Sequence, residues 1–311
     1  MIAQKKLQEL CARWDLQHEP IADFYYAGTG RRADNLWSLG TDHMIKVGTN
    51  SAGLRRHIQI SRALAARELP VSLPVLTTDG RDFVEENGLY FYVSARLKGN
   101  PVDCRELYLP GNPLACRLGQ VIGQLDCVLK DFDSEFVCNE PDLPELLTNC
   151  ALPKVRAMAP LPDDFCAEFL ETFARLYPAL PKQLIHRDPN PDNLILQASG
   201  AIGFLDFELS ERNIRIFDPC YAATAILSES FHDTTLRPEA WFGILSQILH
   251  GYDSAAALTP EERQAVPYVI FAIQLICVSF FSEFEKHKAL AETNLAMLKF
   301  LMDHRDKLFV P

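Results

Sequence analysis

The thirty residues from Leu184 to Asn213, LIHRDPNPDNLILQASGAIGFLDFELSERN, narrow the possible structures of this chain more than any other stretch. Two apolar runs, NLIL and AIGFLDF, flank QASGA. A two-residue turn at Ser199-Gly200 suits a β-hairpin there, because glycine accepts the backbone twist such turns demand. Pairing about that turn sets Asn193 opposite Asp206 at the open end of the hairpin. Opposed side chains have Cβ atoms roughly 5 Å apart. An amide oxygen and a carboxylate at that separation can share Mg²⁺, which takes oxygen ligands and leaves other positions to water and phosphate. Asp188 lies five residues before Asn193, with Pro189 and Pro191 stiffening the connection. A carboxylate so held can orient an alcohol and accept its proton as a phosphoryl group arrives. Each part alone is common; the ordered set is specific. His186 reads as a packed, hydrogen-bonded support.

Around this segment the chain changes character once. Leu7, Leu10, Cys11 and Trp14 recur at helical spacing, so a short amphipathic helix opens the sequence. Short β-rich runs separated by Gly, Asp and Asn follow from Asp23 to Arg96, interrupted by AGLRRHIQISRALAAREL, with Leu54, Ile58, Ala65 and Leu69 as its apolar stripe. Strands with one inserted helix predict a small antiparallel sheet. After residue 97 the pattern is mostly helical, with helices expected at 114–129, 164–177, 218–230, 238–252, 259–285 and 289–308. The proline-bearing stretch 139–164 reads as a long surface connection. An α+β fold in two parts is therefore expected, residues 1–97 and 98–311.

The net charge of −11 argues against nucleic acid or an anionic membrane surface as a partner. The charge is uneven. Residues 1–98 carry 13 Lys and Arg against 11 Asp and Glu, which leaves 17 against 30 for the remainder. Nine widely spaced cysteines without a C-x-x-C pair read as reduced thiols, hence a cytoplasmic setting. The N-terminus lacks a signal-peptide apolar run. The apolar run Tyr268–Phe281 falls short of a membrane span and contains Gln274, so a buried core helix is expected.

The motifs HRDPNPDN and LDFE resemble those of the protein-kinase-like small-molecule kinases, a superfamily that includes aminoglycoside phosphotransferases, choline and ethanolamine kinases and homoserine kinases. The resemblance implies a bilobal protein-kinase-like fold, β-rich first and helical second. It also implies that Asp188 is the catalytic base or orienter, that Asn193 and Asp206 bind Mg²⁺, and that ATP is the phosphoryl donor. Lys46, alternating with Ile45 and Val47 in HMIKVG, stands where the family's phosphate-contacting lysine is expected. Gly28 and Gly30 in AGTGRRADN would let backbone amides approach phosphate, although Ala33 breaks the full glycine motif and a plain hairpin turn is the rival reading. Backbone contacts to adenine are expected from Ser94 to Leu97. The family's usual acidic partner for the lysine is missing, because no Asp or Glu occurs between Asp42 and Glu68. Either Gln59 or His57 orients Lys46, or the pair is absent, which would suit a nucleotide-binding pseudokinase.

Two features separate protein from small-molecule acceptors. Only eleven residues lie between Asp206 and Asp218, too few for a peptide-docking segment, and Asn190 stands where protein kinases place a lysine. RPE at residues 237–239 matches a protein-kinase motif by chance, since it follows a helical stretch. A small acceptor is favoured, an amino-alcohol or amino-sugar, with an atypical Ser/Thr protein kinase as the alternative. Glu208 and Glu211 are candidates to meet an ammonium group. Asp218 reads first as a helix N-cap and loop anchor, then as an acceptor contact. Trp241, Phe242, Tyr252, Tyr268 and Phe271 read first as core, with an aromatic face for a cation as their other use.

Overall fold

The computed structural model describes residues 4–26, 30–132 and 139–309. In chain order these residues form α1 (Gln4–Cys11), β1 (Ile21–Tyr25), β2 (Arg32–Leu39), β3 (His43–Gly48), α2 (Ser51–Ala65), β4 (Val84–Glu86), β5 (Leu89–Ala95) and β6 (Asn100–Pro101). There follow α3 (Cys104–Leu107), α4 (Leu114–Asp131), α5 (Leu143–Leu146), α6 (Leu152–Met158), α7 (Asp163–Leu176), β7 (Lys182–Ile185), β8 (Leu194–Leu196), β9 (Ile202–Phe204) and β10 (Glu211–Ile214). The chain closes with α8 (Phe217–Ser230), α9 (Trp241–Ala255), α10 (Pro260–Phe281) and α11 (Lys288–Asp303). The expected α+β class holds, with the strands early and the helices late.

Two compact units result. The first is Met1–Val102 together with Pro191–Leu209, and the second is Asp103–Asn190 with Ser210–Pro311. The division falls a few residues after the expected position at 97, and the first unit takes in a segment that is remote in sequence.

In the first unit an antiparallel sheet runs β1-β2-β3-β5-β4. Its strands alternate, so each side chain's face follows from position parity. Ile45 and Val47 of β3 and Phe91 and Val93 of β5 join Leu7, Leu10 and Trp14 in one core. Tyr90 and Tyr92 join Leu54 and Ile58 of α2 in another. Helix α2 ends at Ala65, so Leu69 lies outside it, and Ser61 and Leu64 complete its buried side instead. A smaller sheet, β6-β8-β9, completes the unit.

The β8–β9 hairpin differs in register from the sequence-based expectation. Leu194 pairs with Phe204, Ile195 with Gly203 and Leu196 with Ile202. The Gly200 amide donates to the Gln197 carbonyl (2.8 Å), the Gln197 amide donates to Ala201 (2.9 Å), and Gly200 takes φ +85°. The connection is thus three residues, Ala198 to Gly200, with glycine supplying the left-handed last step. That extra residue slips the pairing by one, and Asn193 falls opposite Leu205, whose amide donates to the Asn193 carbonyl (2.9 Å).

In the second unit α4 and α9 cross at glycine. A Cβ on Gly119 would lie 1.8 Å from the Ile248 carbonyl oxygen, and one on Gly251 would lie 1.8 Å from that of Cys116. The stretch expected as a surface connection is largely helical, with α5, a single π turn at Leu147–Ala151, and α6. Leu143, Leu147, Leu152 and Val155 are buried at helical spacing; Pro144 occupies a helix start, where a missing N–H costs nothing, and Pro153 follows directly on the π turn. Helix α10 is long and apolar enough to cross a membrane, and most of it is buried inside this unit as a core helix. The described cysteines are free thiols, and Cys138 lies outside the described residues.

Candidate active site

Lys46 leaves β3 on the face opposite Ile45 and Val47, and its side chain is four-fifths buried. Its Nζ donates to Asp206 Oδ2 and to Glu208 Oε1, both at 2.9 Å. Burial alone would push the Lys46 pKa down, but Asp206 and then Glu208 outweigh it and hold the ammonium above its ordinary range. Lys46 is therefore permanently charged. Its partner is not on helix α2, so neither Gln59 nor His57 plays that part. His57 Nδ1 instead accepts the Phe207 amide (3.0 Å), and the imidazole stacks on the buried Phe207 ring at 6.1 Å.

Asp206 has φ +58°, a left-handed conformation uncommon for a residue with a Cβ and of the kind concentrated at functional positions. Asn193 reaches the same place from the far side of the hairpin. Although their backbones are not directly opposed, both side chains line one cavity of about 340 Å³, with Lys46, Ser94 and Leu97. Asp192, Phe24, Tyr26, Met44 and Tyr92 line it too. Apolar side chains and a few convergent polar groups are the usual composition of a small-molecule site. Asp192 and Tyr26 were not foreseen. Asp192 had a signal, its place beside Asn193, whereas Tyr26 had none.

The donor set suits Mg²⁺. One amide and the Asp192 and Asp206 carboxylates supply oxygen from the protein, and Mg²⁺ is commonly held by one or two carboxylates plus phosphate and water. Among the described residues no group of three or more His, Cys, Asp and Glu side chains forms a closed metal cage.

Gly30 has φ +63°, and its amide closes on the Tyr26 carbonyl at 2.8 Å. It is not among the residues that line the cavity. Gly28 lies outside the described residues.

The second unit holds Asp188. Arg187 before it is left-handed (φ +78°), with its Nε on Glu211 Oε1 (2.7 Å) and its guanidinium 4.1 Å over the Phe217 ring. Asn190 Nδ2 donates to Asp188 Oδ1 at 2.9 Å. The Tyr221 hydroxyl also hydrogen-bonds Asp188, and burial raises that phenol well above its ordinary value. Tyr221 was not foreseen, because its contact depends on where α8 is anchored. The anchor is Asp218, which is fully buried; its two carboxylate oxygens accept the His186 amide (2.8 Å) and the Arg187 amide (2.9 Å). Helix α8 begins at Phe217, so Asp218 is not its N-cap and anchors the loop that follows β7 instead. Burial lifts its pKa to about 6, against the opposing pull of His186 and the two amides.

The proposed acceptor acids are otherwise engaged. Glu208 is held by Lys46 and by the Tyr90 hydroxyl (2.9 Å), and Glu211 by Arg187 and Asn213 (2.8 Å). Three of the five aromatic candidates are structural as well, while Phe242 and Tyr268 are half-buried. Trp241 and Tyr252 are buried, the first bonded to the Ala223 carbonyl (2.7 Å) and the second to Asp126 (2.7 Å). Phe271 lies in the core and meets Phe165 edge-on.

The chain as a whole has counterparts among known proteins. Residues 44–258 match the phosphotransferase enzyme family. The chain belongs to that family. A homoserine kinase of Zymomonas mobilis is 26% identical to this phosphotransferase over 206 residues, 65% of this chain and 61% of that protein. The match thus spans less than two thirds of the relative. Among solved structures, a microcompartment-associated aminopropanol kinase superposes with TM-score 0.69 at 15% identity, covering 98% of this chain and 99% of that one. An amicoumacin kinase in complex with AMP-PNP, Ca²⁺ and Ami gives 0.68 at 14% identity, covering 100% and 96%. A choline/ethanolamine kinase family protein from Mesorhizobium loti gives 0.66 at 16%, covering 98% and 97%. At these identities the structures establish the fold, which is protein-kinase-like.

Proposed function

We propose that this phosphotransferase moves the γ-phosphate of ATP to a hydroxyl of a small amine-bearing molecule, an amino-alcohol or amino-sugar. The observation that carries the reading is the grouping of Lys46, Asn193 and Asp206 on one cavity, with the lysine locked on the aspartate. A fixed ammonium beside oxygen donors suits a polyphosphate, and such enzymes work chiefly by positioning and charge neutralisation. Lys46 grips phosphate oxygens. Ser94 to Leu97 offer backbone groups to the base, on a wall made partly of Met44 and Tyr92. Asn193 and Asp206 would hold Mg²⁺, which when bound neutralises phosphate charge. Asp188, steadied by Asn190 and Tyr221, orients the acceptor hydroxyl and takes its proton.

The acceptor class draws support from two directions. The relatives named as homoserine and aminopropanol kinases act on molecules that carry both an amine and a hydroxyl. The acidic balance of residues 99–311 favours a cationic acceptor. A protein acceptor is disfavoured by the segment after Asp206, which is spent on a 3₁₀ turn at Phe207–Leu209 and on strand β10 paired with β7. The pseudokinase reading loses its motive, since Lys46 has an acidic partner in Glu208. The test is a screen of purified protein with labelled ATP and Mg²⁺ against homoserine, 1-amino-2-propanol, choline, aminoglycosides and a generic protein acceptor. Label should pass to a small amine-bearing alcohol; transfer to protein alone would overturn the reading.

A further inference from the structure

Helix α2 carries no acidic residue, and the reason is visible in what it binds. It grips the backbone of the D-F-E turn rather than the lysine. The His57 imidazole accepts the Phe207 amide (3.0 Å), and the Arg56 guanidinium donates to the Glu208 carbonyl (2.9 Å). Gly53 lets that carbonyl come close, since a Cβ there would stand 3.2 Å from it. Phe207 is fully buried beneath this contact. The turn so fixed aims the Glu208 side chain at Lys46, and the Tyr90 hydroxyl from β5 donates to the same oxygen, Oε1, at 2.9 Å. Glu208 is only 13% exposed, so water competes weakly for its bond to Lys46.

We propose that Glu208 is the residue that positions Lys46 for nucleotide phosphate, in place of an acid on α2. This rests on the reading of Lys46 as a phosphate contact. Asp206 also holds the lysine, but Asp206 faces the cavity beside Asn193 and has a second task there. Glu208 does not line the cavity and has no such task. It keeps the ammonium in place whenever Asp206 is engaged elsewhere. Because Asp206 and Glu208 sit two residues apart on one turn, the lysine and the metal-binding carboxylate are set by a single piece of backbone. In this arrangement α2 acts as a clamp on that turn and has no charge of its own to contribute.

The test is a double-mutant cycle on nucleotide affinity, read by calorimetry with AMP-PNP and Mg²⁺ on the full chain. Wild-type protein is titrated first; failure of wild type to bind would sink the functional reading itself and not this assignment. Given binding, Glu208→Gln should weaken it roughly tenfold in the Lys46 background and by less than about twofold in Lys46→Met, as expected for two residues acting as one unit. Effects that simply multiply, or a Glu208→Gln protein that binds like wild type, would overturn the proposal. A Mg²⁺ titration separates this role from that of a metal ligand. The half-saturating Mg²⁺ concentration should stay within about twofold of wild type in Glu208→Gln, and a large increase together with lost coupling to Lys46 would make Glu208 a metal ligand instead. Should Glu208→Gln fail to fold, Tyr90→Phe carries the same cycle, with a smaller loss that must also vanish in Lys46→Met.

Discussion

Both oxygens of Asp218 are committed to backbone amides, which makes this buried side chain the hinge pin of the loop that carries Asp188. Asp126 is buried in the same unit, with Tyr252 donating to Oδ2. Burial and then the charge of Asp218 push Asp126 well above the ordinary carboxylate range, and burial lifts Asp218 to about 6. The sign of the stability effect follows. The folded pKa of Asp218 is raised from 3.8, so the native state still binds a proton that the unfolded chain has released. Stability is greatest below the unfolded value and declines as pH rises through about 6. Asp218→Asn should make this decline shallower in melting temperatures measured between pH 4 and 7, the remainder coming from the raised Asp126 carboxyl, which acts in the same direction. It should also lower turnover at least tenfold, because an amide group offers one oxygen where two amide donors need acceptors, a loss of about 1–3 kcal/mol in holding the loop. AMP-PNP affinity should be unchanged, since Asp218 does not line the cavity that Lys46 and Asp206 share.

Between residues and whole units, the crossing of α4 on α9 is the contact least open to substitution. Gly251→Ala would drive a methyl group into the Cys116 carbonyl, a backbone atom that moves only if the helix moves. A loss of about 3 kcal/mol is expected, read as a lowered melting temperature without loss of helical signal on folding. Helix α10 offers a graded comparison at its start. Thr259 and Glu262 form a capping box, and Glu262 also takes both forks of Arg215, at 2.8 and 2.7 Å. Thr259→Ala should cost about 1 kcal/mol. Glu262→Ala should cost about 3–5 kcal/mol, since it strands a largely buried guanidinium as well. Equal losses in chemical unfolding would show that the cap alone matters. The elements themselves were readable where one physical rule dominated. Helices α4 and α7 show through their apolar period, α10 through its continuous apolar run, and β3 through alternation about Lys46. Sequence reasoning failed where two rules compete. Pro144 and Pro153 suggested a break, yet the first sits in a first turn and the second directly after the π turn, and Ser199-Gly200 suggested a two-residue loop where three residues turn.

Taken whole, the molecule distributes its chemistry unevenly between its units. Lys46, Asn193, Asp206 and the entire lining of the cavity of about 340 Å³ belong to the first, through the inclusion of Pro191–Leu209. Asp188 and its supports Asn190, Tyr221 and Asp218 belong to the second. The sequence makes Asp188, Asn193 and Asp206 legible together because they share one thirty-residue segment. It hides the division between them, because that depends on which sheet each flank joins: β8 pairs with β6, and β7 with β10. The Glu208 pairing was hidden for a similar reason, since it needs β3, β5 and the D-F-E turn to meet first. The division has a consequence for the whole enzyme. If binding resides in one unit and acceptor activation in the other, the two should be separable by a single substitution. Asp188→Asn should leave AMP-PNP affinity and its thermal stabilisation within about twofold of wild type, since ligand stabilisation depends only on concentration and affinity. Turnover on the best acceptor from the screen should fall by about 10³ or more, the scale on which one positioned acid–base group contributes together with the orientation it enforces. A parallel loss of binding would show that Asp188 helps to form the nucleotide site, and a wild-type rate would remove it from the reaction.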